Sequence, residues 1–297
     1  MSYDFFPGFA SHWIDTDAGR VFARAGGEGP PLLLLHGFPQ THVMWARLAP
    51  ALARRFHVVA MDLRGYGWSA APRSEGGALY SKRAMAADAV RVMESLGHVR
   101  FRLVGHDRGA RVGYRLALDQ PGRLEKLALL DILPTLSVWR NIEAGVTPAA
   151  HWAFLAQKAP APEQDIARQG ADSYFEHLMA SWTHEGGLRA FDARALAAYR
   201  DGWGDPARIH AFCEDYRAGA TLDRAADEAD LAAGRAIDAP TLVLSGAFFL
   251  TSGAAPALDV WRATFAPQAQ GGQIADSGHF PAEENPQATL DALLAFL

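Results

Sequence analysis

The chain has 297 residues, 49% hydrophobic and 21% charged, with a net charge of −5; this fits one large globular unit or a core with an insertion and gives no basic stripe of the kind that tracks phosphates, which excludes nucleic acid and anionic membrane as expected partners. The single cysteine, Cys213, rules out an internal disulfide, and no Cys/His grouping has zinc-ligand spacing. The opening MSYDFFPGFASHW lacks a basic start followed by an apolar stretch, and no run of about 18 or more apolar residues occurs, so a cytoplasmic protein without a membrane anchor is expected.

In chain order, nearly all-apolar runs occur at PPLLLLHG (30–37), FHVVAMD (56–62), FRLVGHD (101–107) and KLALLD (126–131), each closing on polar or glycine residues. Such runs predict strands buried on both faces of a parallel sheet, with the helical stretches between them as crossovers. Ligands bind beyond the carboxyl ends of such strands, where His36-Gly37, Asp62, Asp107 and Asp131 stand. After Leu133-Pro134-Thr135 the buried-strand pattern stops. ADSYFEHLMASW (171–182) and FDARALAAYRDGW (191–203) predict helices rich in aromatics, and AADEADLAAG (225–234) predicts an exposed helix or connector. The strand pattern resumes at APTLVLSG (239–246). The predicted architecture is therefore an α/β core over 1–136 and 231–297, interrupted by a helical cap over 137–230.

The run VGHDRGARVGYRLAL (104–118) has the form of a nucleophile elbow, G-x-Nuc-x-G between a strand and a helix, with Asp107 where serine usually stands. Alone, a G-x-D-x-G pattern is weak; the flanking strand and helix strengthen it. A carboxylate is anionic at pH 7 without help and suits displacement at an sp³ carbon bearing a leaving group, yielding an alkyl ester. Hydrolysing that ester requires a base for water. His279, in DSGHFPAEENP (276–286) before a terminal helix, occupies the chain position this role takes, and Asp131, which ends the strand after the elbow, is its expected orienting acid. The backbone N–H groups of Arg108 and of Phe38, in the turn His36-Gly37-Phe38-Pro39, are the expected oxyanion donors. Asp62 also follows a strand, but in DLRGYG it is read as holding a loop through hydrogen bonds.

Arg108 and Arg111 fall in the first turn of the elbow helix on one side. Cations there oppose the helix dipole and call for an anionic partner. One reading is a pair of surface salt bridges, each worth about 0–1 kcal/mol; the other is a guanidinium clamp on a substrate carboxylate.

The segments HGFPQTHVMWARLAP (36–50), MDLRGYGWSA (61–70), VGHDRGARVGYRLALDQP (104–121), LLDILPT (129–135), HWAFLAQKAPAPE (151–163), CEDYRAG (213–219) and GHF (278–280) resemble the α/β-hydrolase superfamily, and specifically the haloacetate (fluoroacetate) dehalogenases. HGFP and DLRGYG are shared with epoxide hydrolases; HDRGAR together with LLDILPT is the specific combination. The resemblance implies an α/β-hydrolase fold with an inserted helical cap, halide-binding roles for His151, Trp152 and Tyr216, a 2-haloacid as substrate, and a homodimer. No cofactor or metal is implied. Trp182 is a further candidate for the pocket wall. Two segments depart from the family, SWTHEGG (181–187) and AFFLTSGAAPALDVW (247–261), and leave the pocket width open. An epoxide hydrolase would use the same Asp107, Asp131 and His279 but needs proton donors for a ring alkoxide and no carboxylate clamp. A silent binding module would need none of these groups together.

Overall fold

In a computed structural model that describes residues 3–146, 149–248 and 255–297, the strands form one sheet. Among the described residues they are β1 (Ala10–Thr16), β2 (Gly19–Gly26), β3 (Pro31–Leu35), β4 (His57–Met61), β5 (Phe101–His106), β6 (Leu124–Leu130), β7 (Thr241–Gly246) and β8 (Gln270–Ile274). Their spatial order is β1-β2-β4-β3-β5-β6-β7-β8. All neighbours from β4 to β8 pair in parallel, and the β1–β2 hairpin adds antiparallel to the β4 edge. The helices in the first part of the core are α1 (Ala49–Leu52), α2 (Lys82–Ser95) and α3 (Asp107–Asp119).

Between β6 and β7 the described chain is helical and without strands: α4 (Thr135–Glu143), α5 (Ala150–Leu155), α6 (Ala161–Gln169), α7 (Ala171–Trp182), α8 (Ala193–Trp203), α9 (Pro206–Ala218) and α10 (Arg224–Ala232), the last two joined by a π turn at Gly219–Asp223. Then come α11 (Ala257–Ala263), α12 (Pro281–Glu284) and α13 (Pro286–Phe296). No helix among the described residues is long and apolar enough to cross a membrane.

The central strands are as buried as their composition demands: Leu32 to Leu35, Val58 to Met61 and Leu127 to Leu130 have no exposed surface. Each such leucine, valine or methionine contributes about 1.5–3 kcal/mol of hydrophobic stabilisation. Register carries this burial to the site. Leu35 pairs with Gly105, so the turn after β3 emerges beside Asp107; His106 pairs with Leu130, so Asp131 emerges beside it on the other flank. Leu130 in turn pairs with Leu244, which brings the end of β7 against Asp131.

Three strands lie outside the all-apolar runs. β1, an edge strand, buries Ile14 alone, and β8, QGGQI, is glycine-rich with only Ile274 buried, so neither shows a buried-strand run. β2 is half-buried, between β1 and β4. The expected exposed stretch at 225–234 is corrected in part: it is helix α10, but Asp227 and Asp230 are buried on it, facing Tyr114 and Arg115 of α3. Of the divergent segment 247–261, residues 249–254 lie outside the described residues.

Candidate active site

The elbow is made by close approaches around one unusual residue. Asp107 has a positive φ of 44°, a conformation that costs a non-glycine residue about 1–3 kcal/mol and is maintained by its surroundings. The neighbouring glycines serve proximity: a Cβ on Gly109 would lie 2.4 Å from the His36 carbonyl oxygen, and one on Gly37 would lie 2.5 Å from the Asp107 Cβ. Strand, turn and helix thus press the carboxylate against the loop after β3. Phe38 N–H donates to Asp107 Oδ1 at 2.9 Å, as an oxyanion donor should. The Arg108 N–H belongs to the first turn of α3, where N–H groups have no partner within the helix.

His279 lies between β8 and α12. Its Nδ1 is 2.5 Å from Asp131 Oδ2 and its Nε2 is 3.9 Å from Asp107 Oδ2. Asp131 is fixed in turn by a positive φ of 53° and by the Gly246 N–H, which donates to Oδ1 at 2.8 Å. Burial opposes the charged imidazole, but the hydrogen bond and charge of Asp131, with the charge of Asp107, raise the His279 pKa above its ordinary value. Burial would also raise the Asp107 carboxyl; His279, Arg108 and Arg111 outweigh it and hold the group well below the usual carboxylate range. A histidine raised toward its charged form, the carboxylate bonded to it and a second carboxylate held as an anion therefore share one buried site. Sequence reasoning leaves His106 as a spacer of the elbow. In the fold its ring lies 4.7 Å from that of His279 and its Nε2 is 2.7 Å from the His279 carbonyl oxygen.

The two arginines are not surface groups: Arg108 is 0% and Arg111 3% exposed, which removes the surface salt-bridge reading. Arg111 Nη1 donates to the Leu133 carbonyl and to Thr135 Oγ1, while its Nε has no acceptor. Arg108 gives Nε and Nη2 to Asp215, and its Nη1 has no acceptor. Both guanidiniums lie over aromatic rings of the helical segment, Arg108 over Tyr216 at 4.3 Å and Arg111 over Trp152 at 4.5 Å.

The cap-side candidates are gathered here as well. The His151 ring is 5.8 Å from Tyr216 and 4.6 Å from Trp182, and Trp152 is 5.5 Å from Tyr216. Phe38 lies 5.3 Å from Tyr216 and 6.2 Å from Trp182, which in turn lies 5.5 Å from His279. Burial pushes His151 down to about 3, leaving a neutral imidazole with one N–H, and burial beside Asp107 keeps the Tyr216 phenol protonated. The divergent 181–187 segment packs on the catalytic loop: the Trp182 carbonyl accepts the His279 N–H at 2.8 Å. Thr183 to Gly187, with Arg189, Asp276 and Glu284, line a separate cleft of about 590 Å³.

Asp62 accepts the His42 N–H at 2.7 Å on Oδ1 and the Trp68 N–H at 2.9 Å on Oδ2, the loop-holding role read from its motif. Among the described residues no cluster of His, Cys, Asp and Glu could hold a metal ion. The residues that sequence reasoning missed are Asp215, which accepts from Arg108, and Lys82 and Tyr66, which donate to Asp215. Asp215 stands inside CEDYRAG, yet no local spacing shows that a cap carboxylate meets an elbow arginine across the fold.

The family model for the alpha/beta hydrolase fold matches residues 30–286. Fluoroacetate dehalogenase of a Burkholderia species is 43% identical over 296 residues, covering 98% of this chain and 95% of that one. Soluble epoxide hydrolase of Corynebacterium sp. (strain C12) is 30% identical, covering 93% of each. The crystal structure of ALR0039, a candidate alpha/beta hydrolase from Nostoc sp. PCC 7120, superposes with a TM-score of 0.91 at 45% identity over 97% of both chains. The chain therefore belongs to the α/β-hydrolase superfamily and, along nearly its whole length, to the haloacetate (fluoroacetate) dehalogenase family within it.

Proposed function

We propose that the protein is a hydrolytic dehalogenase of short 2-haloacids, converting a haloacetate to glycolate and halide. The observation that carries this reading is the pair of buried arginines beside the nucleophile, each with a nitrogen that has no acceptor. Arg108 already faces Asp215, but Arg111 has only neutral acceptors among the described residues; a buried cation without an anion is costly, and a substrate carboxylate supplies one. The same cations offset the repulsion between an anionic substrate and anionic Asp107.

With the carboxylate on Arg108 and Arg111, Asp107 Oδ2 attacks the α-carbon, the carbon–halogen bond breaks, and the halide leaves with both bonding electrons toward His151, Trp152 and Tyr216. An imidazole N–H, an indole N–H and a phenol O–H are neutral donors whose hydrogen bonds strengthen as the halide gains charge. Water then adds to the carboxyl carbon of the ester, giving up a proton to His279 Nε2. The oxyanion at Oδ1 faces the Phe38 N–H. Collapse releases glycolate, protonated by His279, and leaves Asp107 as a carboxylic acid that loses its proton to solvent to restore the carboxylate; Asp131 keeps the imidazole in the required tautomer and stabilises its charged form.

The test is halide release from fluoroacetate and chloroacetate in parallel, with Asp107→Asn as blank and styrene oxide as the contrasting substrate. Fluoride and chloride release, absent in the variant, is expected. No halide from either acid, with diol formed from the epoxide, would assign the site to epoxide hydrolysis instead.

A further inference from the structure

We propose that Asp215, held by Lys82 and Tyr66, is a positioning residue that reserves one edge of the Arg108 guanidinium for the substrate carboxylate; this rests on the haloacid reading above. Asp215 stands on α9 directly before Tyr216 and has no exposed surface. Its Oδ1 accepts Arg108 Nε at 3.1 Å and Nη2 at 2.5 Å, and its carbonyl oxygen accepts Nη2 at 2.8 Å. Lys82 Nζ, itself buried at the start of α2, donates to the same Oδ1, and the Tyr66 O–H donates to Oδ2 at 2.8 Å. Asp223, placed by the π turn after α9, accepts the Lys82 backbone N–H at 2.8 Å and lies 3.9 Å from Nζ. Single π turns inside helices often mark functional sites.

The charge arrangement explains why so many groups converge on one carboxylate. Asp107 is the other anion near Arg108, and an ion pair between the two would blunt the nucleophile and occupy the clamp. Asp215 prevents this by taking Nε and Nη2, leaving Nη1 as the nitrogen without an acceptor. The Tyr216 ring packs against the guanidinium. Lys82 shares Asp215 with Arg108 and in turn faces Asp223, so Arg108 does not have the carboxylate to itself and its Nη1 is left for a further anion. Asp215 touches no reacting atom; it acts through Arg108.

A positioning role is separable from a merely structural one by comparing a charged with an uncharged substrate. Asp215→Asn keeps the shape and oxygen acceptor of the side chain but removes the charge. The KM for chloroacetate is expected to rise about tenfold or more, equivalent to about 1.4 kcal/mol of binding, with kcat nearly unchanged, while turnover of neutral chloroacetamide is not impaired. Tyr66→Phe, which deletes one hydroxyl, is expected to shift KM the same way by less, and it serves if Asp215→Asn does not fold. In an Arg108→Met background, Asp215→Asn should cost nothing further for chloroacetate. Equal losses on the acid and the amide, or an unaltered KM for the acid in both variants, would overturn the proposal. A wild-type protein that releases no halide from either acid would instead remove the haloacid reading on which it rests.

Discussion

Asp107 is an anion that costs backbone strain to present and charge to maintain. Its positive φ lifts the carboxylate out of the strand–helix turn, and His279, Arg108 and Arg111 keep it ionised despite burial. His279 sits in the reciprocal field, raised toward the imidazolium by Asp131 and Asp107. Titrated by NMR in the free protein, His279 should lose its proton above the ordinary histidine value of about 6.5. Asp131→Asn removes a hydrogen bond and a charge that favour the cation, so the same titration should move down. Hydrolysis of the ester should fall on the order of 10⁴-fold, as when the orienting acid of a Ser-His-Asp triad becomes an amide. A titration that does not move would mean Asp131 is not the group that sets the base. Asp107, Asp131 and His279 were legible in the sequence because each directly follows a strand or precedes a terminal helix. Asp215, Lys82 and Tyr66 were not, because they meet only when α9, α2 and the loop after β4 are brought together.

Among the elements, the strands that read cleanly are those buried on both faces, where every position must be apolar; β1 and β8 escaped because an edge strand needs only half its residues inside. The helices at 171–182 and 193–203 were legible from period and aromatics, but which face meets the site was not. One contact between elements has a measurable consequence. Glu283 of α12 lies buried under α8, where Tyr199 donates to Oε1 at 3.1 Å, Gln40 Nε2 donates to Oε2, and Arg47 holds the Glu283 backbone carbonyl. Burial pushes its carboxyl up to about 8. Between the ordinary carboxylate value near 4.3 and about 8, the folded protein retains a proton that the unfolded chain releases. The contribution of Glu283 to stability should therefore decline as pH rises through that window and level off above it. In denaturant melts at pH 5, 7 and 9 the stability difference between the wild type and Glu283→Gln should show this decline, the other buried groups being common to both; a difference that does not change with pH would place the effect elsewhere.

At the scale of the whole molecule, the core carries Asp107, Asp131 and His279 at the ends of its strands, and the helical segment between β6 and β7 brings His151, Trp152, Trp182 and Tyr216 together beside them. They are joined by buried charge: Arg108 to Asp215, Lys82 to Asp215 and Asp223, and Arg115 to Asp230. Breaking one partner of such a pair typically costs about 3–5 kcal/mol, so these contacts set where the helices rest on the core as well as what the arginines can bind. The proposed chemistry turns on a covalent ester at Asp107, and such an ester can be trapped. His279→Asn retains the nucleophile, the clamp and the halide donors but lacks the base for water. Mixed with fluoroacetate and examined by intact and peptide mass spectrometry, it should release one equivalent of fluoride and carry a single carboxymethyl group on the peptide containing Asp107, absent when Asp107→Asn is added. Continued turnover of substrate by an unmodified His279→Asn protein would contradict the account.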